Sequence, residues 1–341
     1  MPRGISKFEV VPRNFYALCL YRQRAFFRSQ FMIKKPMDIL TLYPVRKSRR
    51  QKKAFREDVC AYAQSLGYEC RIEKGSLGSR NIVIGNPETA EHLITAHYDT
   101  CANMLLPNLI TPCNFLLFLL YQLLLTAVML VPAVLIGILV GIIVRQPQVG
   151  EFTFLVTLFA VLLLMMYGPA NRHNANDNTS GVVAALEIAG SFPKDQRDKV
   201  CFVLFDLEEA GLIGSSSYRS SHKKDSQNQL VWNLDCIGEG DDIVFFPSKK
   251  VRKNERKMET LQRCVTQLAT KRISIRQKGF SFYPSDQANF PYGVGIAALK
   301  RSKFGLYLDR IHTNKDTVLD ETNVNILRAA IISAITCDGV Q

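Results

Sequence analysis

The chain has 341 residues, of which 47% are hydrophobic and 21% are charged, and its formal net charge is +13. This length suits one large domain or two ordinary ones, and the apolar content excludes a disordered chain. Residues 1–56 hold fifteen Lys and Arg against two Asp and Glu, so they carry the whole excess of positive charge. The remaining chain is neutral overall, and we therefore expect no nucleic-acid partner for the folded body.

Residues 1–36 are predicted to form a basic N-terminal arm with weak hydrophobic periodicity, although Met37 is an alternative start of the chain. Three uses of such an arm are open. It can bind an anionic membrane leaflet, at about 1 kcal/mol per basic residue near the surface, bind phosphates of nucleic acid, or stay a solvated tail. The leaflet is favoured because a membrane anchor is predicted further along the chain.

The segments that follow alternate between helical and strand patterns. Residues 46–66 are predicted to form an amphipathic helix, and strands are predicted at residues 68–72, 81–85 and 92–96. The apolar face of that helix consists of Phe55, Val59, Tyr62, Ala63 and Leu66.

Two long uncharged segments come next, at residues 100–144 and 152–171. A helix over residues 113–144 would be longer than the roughly 30 Å hydrocarbon core, and one over residues 152–167 would be somewhat shorter. We expect a membrane hairpin whose turn lies at residues 145–151. The alternative is a buried helical pair in a soluble core, and uncharged runs of this length are uncommon there.

The second part of the chain again alternates between the two patterns. Helices are predicted at residues 181–189, 255–268 and 323–335, and strands at residues 199–205, 229–234 and 294–299. This order favours an α/β layered domain. We expect residues 37–100 and 171–341 to form one catalytic domain, with residues 101–170 inserted as the transmembrane hairpin.

The nine cysteines are odd in number and scattered, which predicts neither a disulfide framework nor a C-x-x-C motif. They favour a reducing compartment. Most Lys and Arg lie outside the hairpin turn, and the positive-inside rule then places the main domain in the cytosol. We therefore expect a membrane protein with two spans and a cytosolic catalytic domain.

Histidine and acidic residues gather at the predicted strand ends, where α/β sheets place their ligand sites. His97-Tyr98-Asp99, Glu208-Glu209 and Asp235 lie at or after strand ends, Asp177-Asn178 comes before a helix, and His312-Thr313 with Asp316 lies in a loop. Two histidines and several carboxylates suit zinc, and a carboxylate shared by two ions forms a dinuclear site. Asp99 is spaced to orient His97, and adjacent Glu208 and Glu209 can divide the work of base and ligand.

In combination these motifs resemble the co-catalytic zinc aminopeptidases of metallopeptidase family twenty-eight. The resemblance covers residues 37–100 and 171–341, and it implies a zinc-exopeptidase-like mixed β-sheet flanked by helices. It also implies a zinc exopeptidase with two zinc ions per chain, and the family favours an aminopeptidase that hydrolyses N-terminal residues from peptides. The implied ligands of one ion are His97, Asp177 and Asp235, and those of the other are Asp177, Glu209 and His312.

The same resemblance implies that Glu208 is the general acid and base and that Asp99 supports catalysis through His97. Two features depart from the family pattern. The 80 positions between His97 and Asp177 contain the apolar insert, and Gln287 stands where relatives often have histidine. A one-zinc transferase resembling glutaminyl cyclases, and an inactive membrane-tethered scaffold on the same fold, remain alternatives. Neither the preferred substrate residue nor the oligomeric state can be inferred.

Overall fold

The computed structural model describes residues 32–104, 108–268 and 271–337, so the predicted basic arm lies outside the described residues except for its last five. The described residues form nine α-helices: α1 (Ile39–Leu42), α2 (Arg49–Ser65), α3 (Phe115–Val144), α4 (Pro147–Tyr167), α5 (Gly181–Ser191), α6 (Ile213–Ser221), α7 (Lys249–Arg252), α8 (Glu255–Gln262) and α9 (Glu321–Thr336). The strands are β1 (Cys70–Lys74), β2 (Arg80–Ile84), β3 (His92–His97), β4 (Val200–Phe205), β5 (Leu230–Leu234), β6 (Asp242–Pro247), β7 (Thr266–Gln267), β8 (Arg272–Ile275), β9 (Gly293–Ser302) and β10 (Gly305–Tyr307).

All the strands of the described residues belong to one mixed sheet, in the order β1-β2-β4-β3-β5-β9-β6-β8-β7, with β10 paired to β9. The central strands β4, β3, β5 and β9 are parallel to one another, whereas β2 and β6 run antiparallel to their neighbours in the centre. The parallel centre brings the carboxyl ends of β3, β4 and β5 to one edge. The predicted mixed sheet flanked by helices is confirmed.

The central strands are buried over their whole length. In β4 all six residues of the run Val-Cys-Phe-Val-Leu-Phe are buried, which is the pattern of a strand covered by helices on both faces. The helix α5 covers one face, and eight of its eleven residues are buried. The helix α2 packs there through Phe55, Val59 and Ala63. It begins at a capping box in which Ser48 accepts from the amide of Gln51.

The helices α3 and α4 form an antiparallel hairpin of two apolar helices. They contain 30 and 21 residues, and both are long and apolar enough to cross a membrane. Only 11% and 6% of their most apolar stretches are buried against the protein, which disfavours the alternative of a buried core pair. The predicted turn was too long, because α4 begins at Pro147, a residue that suits the first turn of a helix. The connection is therefore Arg145–Gln146.

The two helices approach most closely where neither carries a bulky side chain. A Cβ added at Gly137 would lie 2.8 Å from the carbonyl oxygen of Gly150, which leaves no space for a larger residue. Small residues at such crossings allow two backbones to pack closely, as in many membrane helix pairs.

One expectation about the cysteines is wrong. The structure contains a disulfide between Cys60 in α2 and Cys70 in β1, with a Cα–Cα distance of 5.3 Å. The spacing of ten residues carried no signal for this pair. The two cysteines meet because the chain reverses between α2 and β1, which lie against each other in the fold.

Candidate metal centre

The carboxyl edge of the sheet brings together side chains from three adjacent strands. His97 is the last residue of β3, Glu208 and Glu209 lie just after β4, and Asp235 follows β5 directly. Asp177 comes from the turn that leads into α5, where the Asp177–Asn178 peptide bond is cis. His312, the sixth residue implied in the site, lies in the loop after β10 and has a left-handed φ of 62°.

Asp177 lies between the two histidines. Its Oδ1 is 3.1 Å from Nε2 of His97, and its Oδ2 is 3.0 Å from Nε2 of His312. Asp235 Oδ1 lies 3.8 Å from Nε2 of His97, and Glu209 Oε2 lies 3.4 Å from Nε2 of His312. The structure therefore brings all five predicted ligands into one cluster around Asp177.

The separations suit zinc. Two ligand atoms at about 2.1 Å from a tetrahedral ion are about 3.4 Å apart, and the four distances above run from 3.0 to 3.8 Å. Glu209 Oε1 and Asp235 Oδ1 are buried and have no hydrogen-bond partner within the described protein. Buried carboxylate oxygens without partners are costly, and a cation would supply the missing interaction.

The charges of the cluster perturb its titration. Burial raises the pKa of Glu209 to about 7, where His312 opposes the effect. Burial alone would lower the pKa of His312, but Glu209 and Asp177 raise it to about 9. For Asp177, burial is outweighed by hydrogen bonds from His312 and His97, and its pKa is lowered. Such opposed shifts within one cluster are characteristic of functional sites.

Asp99 connects β3 to the glutamate pair. Its Oδ1 lies 3.6 Å from Nδ1 of His97, beyond hydrogen-bond distance, and accepts from the amide of Glu208 at 3.1 Å. Its Oδ2 accepts from the amide of Glu209 at 3.3 Å. Asp99 thus faces the histidine and also holds the two glutamates in position. Spacing along the chain did not predict the bonds to the glutamate amides.

Glu208 lies on the same side of the cluster as His97 and Asp235. One potential metal-ligand atom of each of these three residues lies within 4.8 Å of those of the other two. Burial raises the pKa of Glu208 well above its ordinary value, while His97 opposes this. The position allows a proton to pass to and from a group at the centre of the cluster. It also allows Glu208 to bind metal, so its role as base remains a prediction.

Sequence reasoning missed the contacts that three residues make at this site. Arg46 is fully buried and donates to the carbonyl of Tyr98 at 2.5 Å and to Thr179 Oγ1 at 3.0 Å. Burial lowers its pKa to about 10, against the attraction of Asp99 and Asp177. No local signal separates it from the other basic residues of the N-terminal segment, because only its contacts distinguish it.

The other two are Cys101 and Asp316. Cys101 is buried, and its sulfur lies within 4.8 Å of donor atoms of Glu209 and His312. Asp316 accepts from the amides of Asn176 and Asp177, at 2.7 and 3.0 Å, and so orients the turn that carries Asp177. Its motif with His312 was recognised in the sequence, but this contact across 139 positions was not.

Asp286 and Gln287 lie beside the cluster. Asp286 is buried with no partner for either carboxylate oxygen in the described protein, and burial raises its pKa to about 7. Gln287 donates to the carbonyl of Tyr283 and accepts from Asn233, so it connects the segment around Tyr283 to β5.

The sequence model described as Peptidase family M28 matches residues 163–334, half of the chain. The chain belongs to peptidase family M28. The matched range contains the motifs from Asp177 to His312, whereas His97 lies before it, on the other side of the hairpin. The expectation of this metallopeptidase family is confirmed.

Individual relatives resemble the chain in part or in fold. Over 67 residues it is 40% identical to aminopeptidase YwaD of Bacillus subtilis strain 168, a match that covers 19% of this chain and 15% of that protein. The LapA aminopeptidase of Legionella pneumophila has a TM-score of 0.50 and 15% identity, covering 98% of this chain and 76% of its own. The glutaminyl cyclase of Macrostomum lignano has a TM-score of 0.51 and 12% identity, covering 93% and 89%. At these identities the two structures establish only the fold.

Proposed function

We propose that this member of peptidase family M28 is a zinc aminopeptidase with two metal ions per chain, which removes N-terminal residues from peptides. One observation carries the dinuclear proposal: the two carboxylate oxygens of Asp177 face different histidines, at 3.1 and 3.0 Å. An aspartate in that position can bridge two ions. One ion would be held by His97, Asp177 and Asp235, and the other by Asp177, Glu209 and His312.

Each residue of the cluster then has a separate task. The chemistry that zinc would supply, if bound by these residues, is a lower pKa of the attacking water and polarisation of the scissile carbonyl. The Glu208 carboxylate accepts a proton from the attacking water and later delivers it to the leaving amine. Asp99 keeps His97 oriented and positions the backbone of Glu208. Burial favours the protonated form of Glu208, whereas a nearby cation would favour the carboxylate. These two opposing effects allow the carboxyl group both to accept and to release a proton.

Two alternatives have distinct supports. The fold is shared with a glutaminyl cyclase, so a transferase reaction on N-terminal glutamine is compatible with the architecture. The resemblance connects that reaction with a one-zinc site, whereas both His97 and Asp235 are present here and favour two metals. An inactive scaffold need not keep all the ligands and the base, and their presence favours an enzyme.

The decisive experiment uses the purified full chain, its metal content, and three peptide substrates. We expect two zinc per chain and chelator-sensitive release of the first residue from free peptides, with none from N-acetylated peptides. Cleavage of the acetylated peptide would refute the aminopeptidase, and pyroglutamate formation from a glutaminyl peptide would indicate the cyclase. Absence of bound zinc would favour the scaffold.

The variant Glu208→Gln tests the base. We expect it to keep both zinc ions and to lose at least 100-fold in kcat, the lower end of what general acid–base catalysis contributes. Glu187→Gln is a matched control, because Glu187 lies on α5 and pairs with Arg328. Normal turnover by Glu208→Gln would remove the assignment, and loss of zinc would make Glu208 a ligand.

We also propose that α3 and α4 anchor the protein in a membrane and that residues 37–100 and 171–341 form its catalytic domain. Their length, apolar composition and exposure support the anchor. The pairing of β3 with β4 and β5 supports a shared domain, since it joins chain from before and after the hairpin. Flotation of the full chain with lipid vesicles, resistant to alkaline carbonate, is the expected result. Release by carbonate would refute the anchor.

The side of the membrane that carries the catalytic domain remains a prediction. The distribution of basic residues favours the cytosol. The disulfide between Cys60 and Cys70 opposes it, because disulfides persist mainly in oxidising compartments. Alkylation of acid-quenched cells before and after reduction separates the two. Free Cys60 and Cys70 thiols would support the cytosolic side, and thiols that appear only after reduction would refute it.

A further inference from the structure

The hairpin is hydrogen-bonded to the loop that carries His312. The amide of Met104, on the way into α3, donates to the carbonyl of His312 at 2.8 Å. Ile110 and Leu308 exchange two backbone hydrogen bonds at 2.9 and 2.8 Å. On the way out of α4, Asn171 Nδ2 donates to the carbonyl of Thr313 at 3.0 Å. The position of the metal centre is therefore tied to the base of the hairpin.

These contacts limit how far the metal centre lies from the end of α4. His312 is bonded to Met104, Met104 is two residues from Ala102, and Ala102 pairs with Ala170, three residues after Tyr167. With about 3.3 Å per extended residue and about 5 Å per paired step, the path is at most about 30 Å. The centre is thus no farther from the end of α4 than one hydrocarbon thickness.

The two helices reach different heights on the side of the catalytic domain. The 21 residues of α4 span about 31 Å, which matches the hydrocarbon core. The 30 residues of α3 span about 45 Å, which matches a whole bilayer with its headgroups. When the hairpin spans the bilayer, the first nine residues of α3 lie beyond Tyr167, at headgroup depth.

The catalytic domain surrounds that part of α3 with half-exposed phenylalanines, which we call the aromatic collar: Phe280, Phe282 and Phe304. Phe280 packs edge-on against Phe115 at 4.9 Å and Phe282 against Phe118 at 5.4 Å between ring centroids. The carbonyl of Phe304 accepts from Asn114, the residue that caps α3. The three collar side chains are 40%, 44% and 60% exposed. Contact with α3 places them at the depth of the headgroups.

Charge and chain connection both fit this placement. Lys278 and Lys303, which flank the collar, are exposed and suit an anionic lipid surface. The collar loop continues directly into Tyr283, whose hydroxyl donates to the carbonyl of Asp235 at 3.1 Å. The same short segment thus contacts α3 at one end and Asp235 of the metal centre at the other.

A cleft of about 980 Å³ lies between the loop that carries His312 and α3. Arg310 and Thr313, two residues before and one residue after His312, line one wall, and Tyr121 of α3 lines another. The predicted metal ligands are not among its lining residues, so the cleft borders the loop of His312 and not the metal centre itself. A peptide that occupied this cleft would lie against a helix that enters the bilayer. Its chain beyond the cleft would then run at the membrane surface.

We propose, on the basis of the proposed peptidase function and hairpin anchor, that this cleft leads to the metal centre and opens at the bilayer surface beside the aromatic collar. Its substrates are then peptides whose chain beyond the cleaved residue is held at or in the membrane.

Spacer length tests this geometry. The full chain is reconstituted in phosphatidylcholine–phosphatidylglycerol vesicles, and one N-terminal peptide sequence is joined to a transmembrane helix through spacers of five, ten or thirty residues. With an N-terminal peptide sequence of five residues, the five-residue spacer gives ten extended residues, which reach about 33 Å and cover the path of at most about 30 Å. We expect the five-residue spacer to be cleaved at no less than half the rate of the thirty-residue spacer. A fall below one-tenth would overturn the proposal.

The same preparation separates this result from failure of the proposed function. A soluble aminoacyl reporter reports the peptidase alone. If the reporter is not cleaved, the enzyme assignment fails. If the reporter and the thirty-residue spacer are cleaved while the five-residue spacer is not, only the membrane-facing cleft fails. Vesicle flotation in the same samples reports the anchor.

Collar depth gives an independent readout. The single native tryptophan, Trp232, is fully buried, so a new tryptophan at the collar can be followed by quenching with brominated lipids. We expect quenching of Phe304→Trp and of Phe280→Trp. Glu88→Trp is the control, since Glu88 is exposed before β3 at the edge of the sheet opposite the metal centre. Absence of quenching at both collar positions, with the soluble reporter still cleaved, would contradict the proposal.

Discussion

Replacement of Asp99 by asparagine separates the positioning role of this residue from metal binding itself. The two carboxylate oxygens of Asp99 accept from the amides of Glu208 and Glu209 at 3.1 and 3.3 Å, and Oδ1 also faces Nδ1 of His97 at 3.6 Å. Asparagine has the same shape but only one oxygen. Its NH₂ group would point at one of these N–H donors.

The cost follows from that mismatch. The variant loses one hydrogen bond to a charged acceptor, and its NH₂ group faces a buried backbone N–H. Together these changes cost about 1–3 kcal/mol of folding free energy. The negative charge of Asp99 favours a proton on Nδ1 of His97, and a proton there leaves Nε2 free to bind metal. Asp99→Asn removes that charge. Changes of this kind around a metal site weaken metal affinity or activity about 10–100-fold. We expect Asp99→Asn to weaken zinc binding and kcat/KM by factors in that range.

Zinc affinity is measured by competition with a fluorescent chelator, and kcat/KM at saturating zinc. Asp225→Asn is a matched control, because Asp225 lies 3.7 Å from Nδ1 of His222 and lines a pocket with His92 and Leu230, at the edge of the sheet opposite the metal centre. Thermal unfolding of the zinc-free variants reports stability separately. Zinc affinity and kcat/KM of Asp99→Asn equal to those of the control would refute the reasoning.

Three further outcomes test the fold. Gly137→Leu meets the facing helix backbone at 2.8 Å and is expected to destabilise the hairpin by about 1–3 kcal/mol, measured by thermal unfolding in detergent; an unchanged midpoint would contradict the packing. The hydrogen bond that His222 donates to Glu73 raises the pKa of His222, so this pair stabilises the fold below the unfolded pKa of histidine and loses that effect as pH rises through the raised value. Glu73→Gln should therefore lose more stability at pH 6 than at pH 9, and equal losses would disprove the coupling. Reduction of Cys60–Cys70, which closes a loop of about ten residues, should lower stability by about 2–3 kcal/mol by calorimetry, and a Cys60→Ser variant should not respond to the reductant.

Most elements with continuous apolar or strongly amphipathic patterns were predicted to within about three residues. The helix expected at residues 255–268 was too long: it ends at Gln262, because Thr266 and Gln267 pair with β8 as a strand. The strand expected at residues 199–205 is Val200–Phe205, and the last helix, expected at residues 323–335, is Glu321–Thr336. Burial dictates these segments directly, since each must place most of its apolar side chains in one core.

Elements held by distant contacts were missed. The helix Ile213–Ser221 contains five serines and has weak intrinsic helix propensity, and it is held by Tyr218, which packs against Phe205 and Phe290. The strand Asp242–Pro247 has no alternating pattern, because β9 and β8 cover both of its edges and its residues are buried throughout.

Residue types and their places along the chain were enough to indicate a zinc site, because zinc requires nitrogen and oxygen donors and parallel sheets gather them at one edge. The ligand set His97, Asp177, Glu209, Asp235 and His312 came from the resemblance to the family. Local sequence also dictated two apolar helices, since their composition suits no aqueous surface. Only the folded chain decided how these parts meet. Asp177 lies between two histidines that are 215 positions apart, and the hairpin is bonded to the loop of one of them. Such contacts depend on strand order and on the paths of loops, which local patterns do not encode.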